Sequence, residues 1–340
     1  MIIPERLKRG SGIGFVSPSA GLAPFAMHRI DRAKKYFEQE GYPVTMGRHA
    51  LENAGYVSAS PKDRARDLMD MFENRNIACI MATIGGNHAN QILPFIDWEV
   101  VRKNPKIFIG YSDISVLHYA IGSQADLRTY YGPCVMTQFG ENPKIYDYTW
   151  EYFKKAITED HRGEVLNVVA SDFWTDESSL DWFKKDDLIR PRTTYHGEGY
   201  AWWREGVAKA PIIGGCIPSI NHLLGTKYWV NPEGHILFLD IPEGHSIHEG
   251  LPVDELDSYL ADLYNAGVFE KISGLVIGRP YHYSNEDIGS LKELLMDRYC
   301  KDKKYPILAN ANIGHVDPII TIPLGADAVI DSGKGVFTLS

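Results

Sequence analysis

Two different periodicities meet in the segment Lys106-Ile107-Phe108-Ile109-Gly110-Tyr111-Ser112-Asp113-Ile114-Ser115. Residues 106–109 are rich in β-branched and aromatic side chains and follow an Asn-Pro breaker, which predicts a short buried strand. Residues 113–121 carry apolar side chains at positions that suit a helix. The sequence therefore predicts a tight strand-to-helix turn at Gly110 to Asp113.

The segments that precede this turn alternate between strand and helix patterns. Residues 12–19 predict a first strand running into a turn, and residues 77–83 form the continuous apolar run typical of a parallel sheet. Between them, one helix is predicted to end at Gly41, and another begins with Ser60 as its cap and Pro61 in the first helical position. This alternation is typical of a doubly wound α/β domain, in which ligands bind at the carboxyl ends of the strands.

A serine stands on the predicted turn. Ser112 would be exposed there, at a helix N-terminus whose free N–H groups favour negative charge, which is how an elbow presents a nucleophile. The alternative is that Ser112 or Asp113 caps the helix, since both residue types are preferred in that position. The usual Gly-x-Ser-x-Gly pattern is also broken, because Ile114 occupies the place of the second glycine. The turn alone leaves both interpretations open.

A second turn would meet this one at the same edge of the sheet. Gly85-Gly86-Asn87 follows the apolar strand, and a Gly-Gly turn lets backbone N–H groups approach a ligand closely. The N–H groups of Gly86 and Asp113 could then form an oxyanion hole, with Gly85 and Asn87 lining the substrate site. The alternative is an ordinary turn with no chemical role.

The composition narrows the class of function. A length of 340 residues allows about two domains. The formal net charge of −9 argues against a nucleic acid or an anionic membrane as the main partner. No apolar run is long enough to span a bilayer, and the N-terminus lacks the pattern of a secretion signal. The four cysteines have no paired spacing, so we expect reduced thiols and a cytoplasmic location.

The chain after residue 206 has a strand and helix pattern of its own. A strand at 235–240 ends in Asp240, and Gly314-His315 lies in a turn between two short strands. We therefore expect three parts, with the active site between the first and the last: an N-terminal parallel-sheet domain (1–165), a linker (166–205) and a C-terminal α/β domain (206–340).

The predicted linker is rich in tryptophan, which is unusual for a loop. Trp174, Trp182, Trp202 and Trp203 stand among charged and polar residues. One interpretation is a loop that packs on its own aromatic side chains. The other is a lid, because long loops in compact proteins often cover a substrate. In that case Trp174, Trp182 and Trp202 would contact the substrate.

Three residues from the two halves could form a catalytic set. Ser112, Asp240 and His315 would be the nucleophile, the orienting acid and the base. Histidine suits the base because its ordinary pKa lies near neutral pH. Spacing alone does not select His315 among the twelve histidines.

Two other histidines raise the alternative of a metal-dependent hydrolase. His245 and His248 have Glu243 and Glu249 nearby, but they lie in a predicted loop and lack the helical His-Glu-x-x-His pattern. No dinucleotide fingerprint or phosphate-binding loop follows a strand. We therefore expect neither a metal nor a cofactor.

A series of short motifs runs through nearly the whole chain. In order they are Gly14-Phe15-Val16-Ser17-Pro18, Gly85-Gly86-Asn87, Leu93-Pro94-Phe95-Ile96-Asp97, Asn104-Pro105-Lys106, Gly110-Tyr111-Ser112-Asp113-Ile114, Tyr131-Gly132-Pro133, Trp174-Thr175-Asp176, Gly214-Gly215, Leu224-Gly225-Thr226, Ile236-Leu237-Phe238-Leu239, Gly314-His315 and Ile322-Pro323-Leu324-Gly325. The series resembles the LD-carboxypeptidase family, and within it the microcin C immunity branch.

The resemblance implies a serine peptidase with a Ser-Glu-His triad and no metal, in which Ser112 is the nucleophile and His315 the base. It implies a Rossmann-like, amidotransferase-like N-terminal domain, a C-terminal domain with the acid and the histidine, a cytoplasmic location and a homodimer. Some family members hydrolyse the L,D-peptide bond of murein tetrapeptide. The immunity branch hydrolyses the amide between an aminoacyl group and a nucleotide-like moiety. The tryptophans of the linker favour the second branch, since aromatic rings can stack on a base.

One position departs from the family pattern. The triad glutamate is expected directly after the Leu-Phe-Leu strand, and this chain has Asp240 there. Aspartate is shorter by one methylene, about 1.5 Å of reach, yet it can orient a histidine. Glu243 could instead fold back and take the role; we favour Asp240. If the shorter acid marks a decayed site, the protein would be a ligand-binding homologue without activity.

Overall fold

The computed structural model describes all residues from 1 to 340. The strands are β1 Gly12–Val16, β2 Val44–Met46, β3 Ile77–Ala82, β4 Ile107–Gly110, β5 Tyr130–Tyr131, β6 Leu166–Val168, β7 Phe173–Trp174, β8 Tyr195–His196, β9 Ala201–Arg204, β10 Val207–Cys216, β11 Ile236–Asp240, β12 Gly274–Gly278, β13 Ile307–Ala311, β14 Ile322–Pro323, β15 Asp327–Asp331 and β16 Val336–Leu339. The α-helices are α1 Met27–Gln39, α2 Pro61–Glu73, α3 Trp98–Lys103, α4 Ser115–Ala125, α5 Asp147–Ile157, α6 Ile217–Asn221, α7 Val253–Asn265, α8 Val268–Lys271 and α9 Asn285–Glu293.

The first sheet has six strands in the order β2-β1-β3-β4-β5-β14. Its strands are parallel except for β14, which pairs antiparallel with β5. Strands β1, β3 and β4 alternate with helices, and β3 and β4 are almost completely buried. This arrangement confirms the predicted doubly wound α/β class, and it places the loops after β3 and β4 at one edge of the sheet.

Local sequence explains where the helices of this half begin and which side they bury. The side chain of Ser60 caps α2 by accepting a hydrogen bond from the N–H of Asp63 (3.2 Å), and Pro61 occupies the first position, as predicted. Helix α1 buries Ile30, Ala33 and Phe37, which recur at helical spacing.

The second sheet has eight strands in the order β6-β16-β15-β10-β11-β12-β13-β9. Its central strands β10 to β13 are parallel, and β15, β16, β6 and β9 are added antiparallel. Strands β6 and β9 belong to the segment predicted as a linker, and both are integral to this sheet.

The two sheets share one hydrophobic core. A cluster of 89 buried residues includes side chains from both sheets. Strand β14 lies late in the chain yet completes the first sheet, so the segment between β13 and β14 must cross from one sheet to the other. That segment carries His315, which is thereby brought towards the carboxyl end of β4. None of the helices has both the length and the apolar character that crossing a membrane requires.

Candidate active site

Ser112 lies in a strained turn between β4 and α4. Its backbone φ is +64°, a left-handed conformation that costs a residue other than glycine about 1–3 kcal/mol. A single 3₁₀ turn over Ser112–Ile114 precedes α4, and no side chain caps either element. The interpretation of Ser112 or Asp113 as a helix cap is therefore wrong. The turn leaves Ser112 partly exposed while the residues on both sides are buried.

The carboxylate of Asp113 fixes this turn to the neighbouring loop. It accepts hydrogen bonds from the N–H groups of His88 and Ala89, each at 2.8 Å, and from the hydroxyl of Ser19 at 2.5 Å. Its side chain is 1% exposed, so these three donors balance the cost of burying the charge. Asp113 thus joins the loops that follow β1, β3 and β4.

The glycine turn after β3 lies directly against the serine. A Cβ atom added to Gly85 would approach the side-chain oxygen of Ser112 to 2.9 Å, so only glycine fits without displacing it. Gly86 has a φ of +140°, and its N–H has no hydrogen-bond partner within the chain. Asn87 is exposed. The turn therefore offers a free backbone donor near Ser112, as an oxyanion hole requires.

Asp240 and His315 form a buried pair. Asp240 is 0% exposed at the end of β11, and its carboxylate accepts hydrogen bonds from Nδ1 of His315 at 2.9 Å and from the backbone N–H of the same residue at 3.2 Å. The preceding residue must be glycine, because a Cβ atom on Gly314 would fall 1.8 Å from the carboxylate oxygen. The shorter acid therefore reaches the imidazole through a close approach of the backbone.

Tyr131 connects this pair to the serine turn. Its hydroxyl donates a hydrogen bond to the carboxylate of Asp240 and accepts one from the N–H of Ser112 at 3.3 Å. Burial, together with the charge of Asp240, raises the pKa of Tyr131 well above its usual range, so the hydroxyl stays a donor. The ring of Tyr111 packs edge-on against the imidazole of His315, with the ring centroids 4.9 Å apart.

The second nitrogen of His315 is free. Nε2 is buried without a hydrogen-bond partner, so no hydrogen bond joins it to the Ser112 hydroxyl here. The carboxylate of Glu243 faces this nitrogen at 3.4 Å and lies away from Nδ1. Burial alone would lower the pKa of His315, but the charges of Asp240 and Glu243 outweigh it and raise the pKa to about 9.

The histidines of the metal alternative do not converge. His245 pairs with Glu255 at 2.8 Å, and His248 lies 3.0 Å from the hydroxyl of Ser178. The one cluster of potential metal ligands consists of Cys216, Asp240 and His315, whose ligand atoms lie within 4.8 Å of one another.

This cluster coincides with the buried pair described above. Asp240 and Nδ1 of His315 already satisfy each other by a hydrogen bond. The thiol of Cys216 has its pKa raised well above the usual range, first by burial and then by Asp240, so it is held protonated. The geometry therefore favours a hydrogen-bonded pair over a metal centre.

The tryptophan-rich segment is ordered and tied to both halves. The N–H and C=O of Thr175 pair with Asp317, two residues beyond His315, at 2.8 and 3.0 Å. Arg192 pairs with Glu141 at 2.6 Å and also with Asp317. These bonds hold the segment beside the site, which agrees with its interpretation as a cover.

The three tryptophans predicted to contact substrate occupy different places. Trp174 lines a cavity of about 360 Å³ and lies under the guanidinium of Arg279 at 4.7 Å. Trp182 packs against the guanidinium of Arg29 at 4.0 Å. Trp202 belongs to β9, opposite Leu308 of β13. Trp203 follows it on the same strand and packs against the core.

Sequence reasoning did not foresee the contacts of two residues that the structure places at the site. Tyr131 was visible only as part of a Tyr-Gly-Pro motif, and nothing local connects it with Asp240. Glu243 was considered as a substitute for Asp240, but its carboxylate faces the opposite nitrogen of the imidazole. Two signals located Asp240 in advance: its position at the end of a strand and its place directly after the Leu-Phe-Leu motif.

Comparison with known proteins defines the class. Residues 13–132 match the N-terminal domain of LD-carboxypeptidases, and residues 209–330 match the C-terminal domain. The chain belongs to the LD-carboxypeptidase family and is a hydrolase.

Particular relatives cover nearly all of the chain. It is 30% identical to the microcin C7 self-immunity protein of Escherichia coli, over 97% of this chain and 93% of that one. It is 28% identical to the murein tetrapeptide carboxypeptidase of Pseudomonas aeruginosa, over 95% of this chain and 94% of that one. A solved structure of the self-immunity protein with aspartyl sulfamoyl adenosine has a TM-score of 0.90 and 28% identity, covering 100% of this chain and 98% of that one.

Proposed function

We propose that this protein hydrolyses an amide bond with Ser112 as nucleophile, His315 as base and Asp240 as the acid that orients His315. The observation that carries the proposal is the continuous hydrogen-bond path from Nδ1 of His315 through Asp240 and Tyr131 to the N–H of Ser112. This path links the two halves of the chain at one point. It fixes the imidazole with its free Nε2 available for proton transfer.

The proposed reaction follows from these positions. The hydroxyl oxygen of Ser112 attacks the carbonyl carbon while Nε2 of His315 takes its proton. The N–H groups of Gly86 and Asp113 stabilise the oxyanion, each worth roughly 2.7–4 kcal/mol in the transition state. The imidazolium then gives its proton to the leaving nitrogen. A water molecule hydrolyses the acyl-serine by the same sequence, which regenerates the free serine. We expect the hydrogen bond from the Ser112 hydroxyl to Nε2 to form when substrate binds, since catalytic hydrogen bonds are often incomplete in the free enzyme.

The substrate we propose is an aminoacyl group joined by an amide-type bond to a nucleotide-like moiety. The self-immunity relative is bound to an aspartyl sulfamoyl adenosine in its solved structure. The cavity in the tryptophan-rich segment is lined by Trp174 and Tyr195, whose ring centroids lie 4.7 Å apart with the ring planes tilted by 36°, and these rings offer an aromatic surface for a base. We also propose that Trp182, Trp202, Gly85 and Asn87 contact the substrate.

A direct comparison of two substrates tests this function. Purified protein is expected to hydrolyse an aminoacyl sulfamoyl adenosine, releasing the amino acid, and to act far more slowly on murein tetrapeptide. Product release is followed by liquid chromatography with mass detection. Cleavage of the tetrapeptide alone would assign the protein to cell-wall recycling, and cleavage of neither would contradict the proposal.

We also propose that the protein acts in the cytoplasm as a homodimer; gel filtration with light scattering would test the dimer.

The raised pKa of His315 predicts an alkaline activity profile. A base must be neutral to accept a proton, and the pKa of about 9 means that most His315 is protonated at neutral pH. The labelling rate of Ser112 by an uncharged fluorophosphonate should therefore rise about tenfold per pH unit below this pKa and level off above it. A midpoint near 6.5 would contradict the prediction. Complete absence of labelling, with hydrolysis also absent, would favour a decayed ligand-binding homologue.

A further inference from the structure

Glu243 places a carboxylate at the reaction centre, where its one near neighbour that can carry a positive charge is the imidazole of His315. Its Oε2 atom lies 3.4 Å from Nε2 of His315, the nitrogen that has no hydrogen-bond partner. No lysine or arginine pairs with this carboxylate. The imidazole beside it is only 7% exposed, whereas the side chain of Glu243 is 38% exposed. A ligand that enters the site can therefore reach the carboxylate.

The backbone holds this side chain in place. Glu243 pairs with Gly250 across the loop that follows β11. The N–H of Gly244 donates to the C=O of Glu249 at 3.0 Å, and the N–H of Leu251 donates to the C=O of Pro242 at 3.1 Å. The position of Glu243 next to His315 is thus set by a closed loop with its own hydrogen bonds.

The neighbouring acids of the cover already have partners. Glu177 pairs with Arg190, and Asp176 accepts the N–H of His282 at 3.1 Å. Asp317 pairs with Arg192. Unlike these three acids, Glu243 has no arginine, lysine or backbone N–H as a partner, and only the imidazole of His315 lies beside its carboxylate.

The distance to His315 indicates what can fill this position. A carbonyl attacked by Ser112 must lie beside Nε2 of His315, because that nitrogen handles the proton. The α-nitrogen of the acyl group is only about 2.5 Å from the carbonyl carbon, given standard bond lengths. It therefore comes within reach of Glu243. In a free aminoacyl group this nitrogen is a charged ammonium, and in an internal peptide it is a neutral amide.

We propose that Glu243 binds the free α-ammonium group on the acyl side of the scissile bond. The site then selects aminoacyl compounds over internal peptide bonds, where an acylated nitrogen would leave the carboxylate desolvated and unpaired. This inference rests on the proposed amide hydrolase activity and narrows its substrate class. When Glu243 pairs with the ammonium group, it no longer interacts with Nε2 of His315. That nitrogen can then accept the proton of the Ser112 hydroxyl.

Binding to an inactive variant tests the inference without turnover. Calorimetry with Ser112→Ala compares alanyl sulfamoyl adenosine with its N-acetyl derivative, which differs only in the charge and size of the α-nitrogen group. The free amine should bind about 10- to 100-fold more tightly, as expected for a charge-assisted hydrogen bond. In Ser112→Ala/Glu243→Gln the preference should fall to within about threefold. Glu249→Gln, an exposed acid of the same loop, is the matched control and should keep the full preference.

Several results would overturn the ammonium site. They are equal affinity for the two ligands in Ser112→Ala, a preference that persists after Glu243→Gln, and absence of binding by both ligands.

Kinetics in the otherwise unchanged chain separates recognition from proton transfer. Glu243→Gln should raise KM for the free amine, whereas an equal fall in kcat for both ligands would assign Glu243 to His315 instead. Hydrolysis of both ligands at equal rates would refute the inference while leaving the amide hydrolase intact. A binding preference without any hydrolysis would contradict the proposed amide hydrolase activity but would support the ammonium site at Glu243.

Discussion

Ser112→Ala is expected to lower kcat for the aminoacyl sulfamoyl adenosine by about 10⁴-fold or more, because it removes the oxygen that we propose attacks the carbonyl carbon. The substitution removes one oxygen from a partly exposed side chain and leaves the backbone network of the turn intact. Substrate affinity and the midpoint of thermal unfolding should therefore change little. Steady-state hydrolysis, calorimetry and thermal denaturation measure the three quantities.

Two further variants make this result interpretable. Ser112→Gly should be equally inactive yet no less stable than the wild type. Relief of the left-handed strain at φ +64°, about 1 kcal/mol, offsets the entropy that glycine adds to the unfolded chain. Ser123→Ala, on the exposed end of α4, should retain full activity. Substantial turnover by Ser112→Ala would remove this serine from the mechanism.

Asp240→Asn is expected to lower kcat by about 10⁴-fold while preserving the shape of the side chain. The carboxylate accepts hydrogen bonds from Tyr131 and from two nitrogens of His315. In asparagine, an NH₂ group replaces one of the two carboxylate oxygens. This NH₂ group would face the hydroxyl of Tyr131 or an N–H of His315, which are themselves donors. His315 then loses both the hydrogen bond that orients its ring and the negative charge that stabilises its protonated form. The buried mismatch should also reduce the free energy of unfolding by about 1–3 kcal/mol.

The control for this variant is an acid of the same sheet. Asp331 on β15 is 7% exposed and accepts the N–H of Lys334 at 3.2 Å. Asp331→Asn should leave kcat within about twofold of the wild type, since a group that does not contact the site contributes little. Hydrolysis assays and denaturant titrations check both variants. If Asp240→Asn kept more than about a tenth of the activity, another acid would have to orient His315.

The class of fold was predictable because its signals are local. The apolar run of β3, the Ser60-Pro61 start of α2 and the strand-to-helix turn at Ser112 each depend on neighbours in the chain. The family motifs added the expectation that Ser112 and His315 act together. Asp240 ends β11, as the strand pattern indicated, and its carboxylate lies 2.9 Å from Nδ1 of His315, since parallel strands deliver their last residues to one edge of a sheet.

Long-range packing decided the rest of the site. The β14 strand completes the first sheet and so brings His315 to Tyr111, although about 200 residues separate them in the chain. The close approach of Gly314 brings His315 within hydrogen-bond distance of Asp240, which compensates for the shorter side chain of an aspartate. Tyr131 and Glu243 acquire their contacts only in this arrangement. A local pattern of side chains specifies strands, helices and turns, whereas the direction of a carboxylate or hydroxyl depends on which distant surfaces pack together.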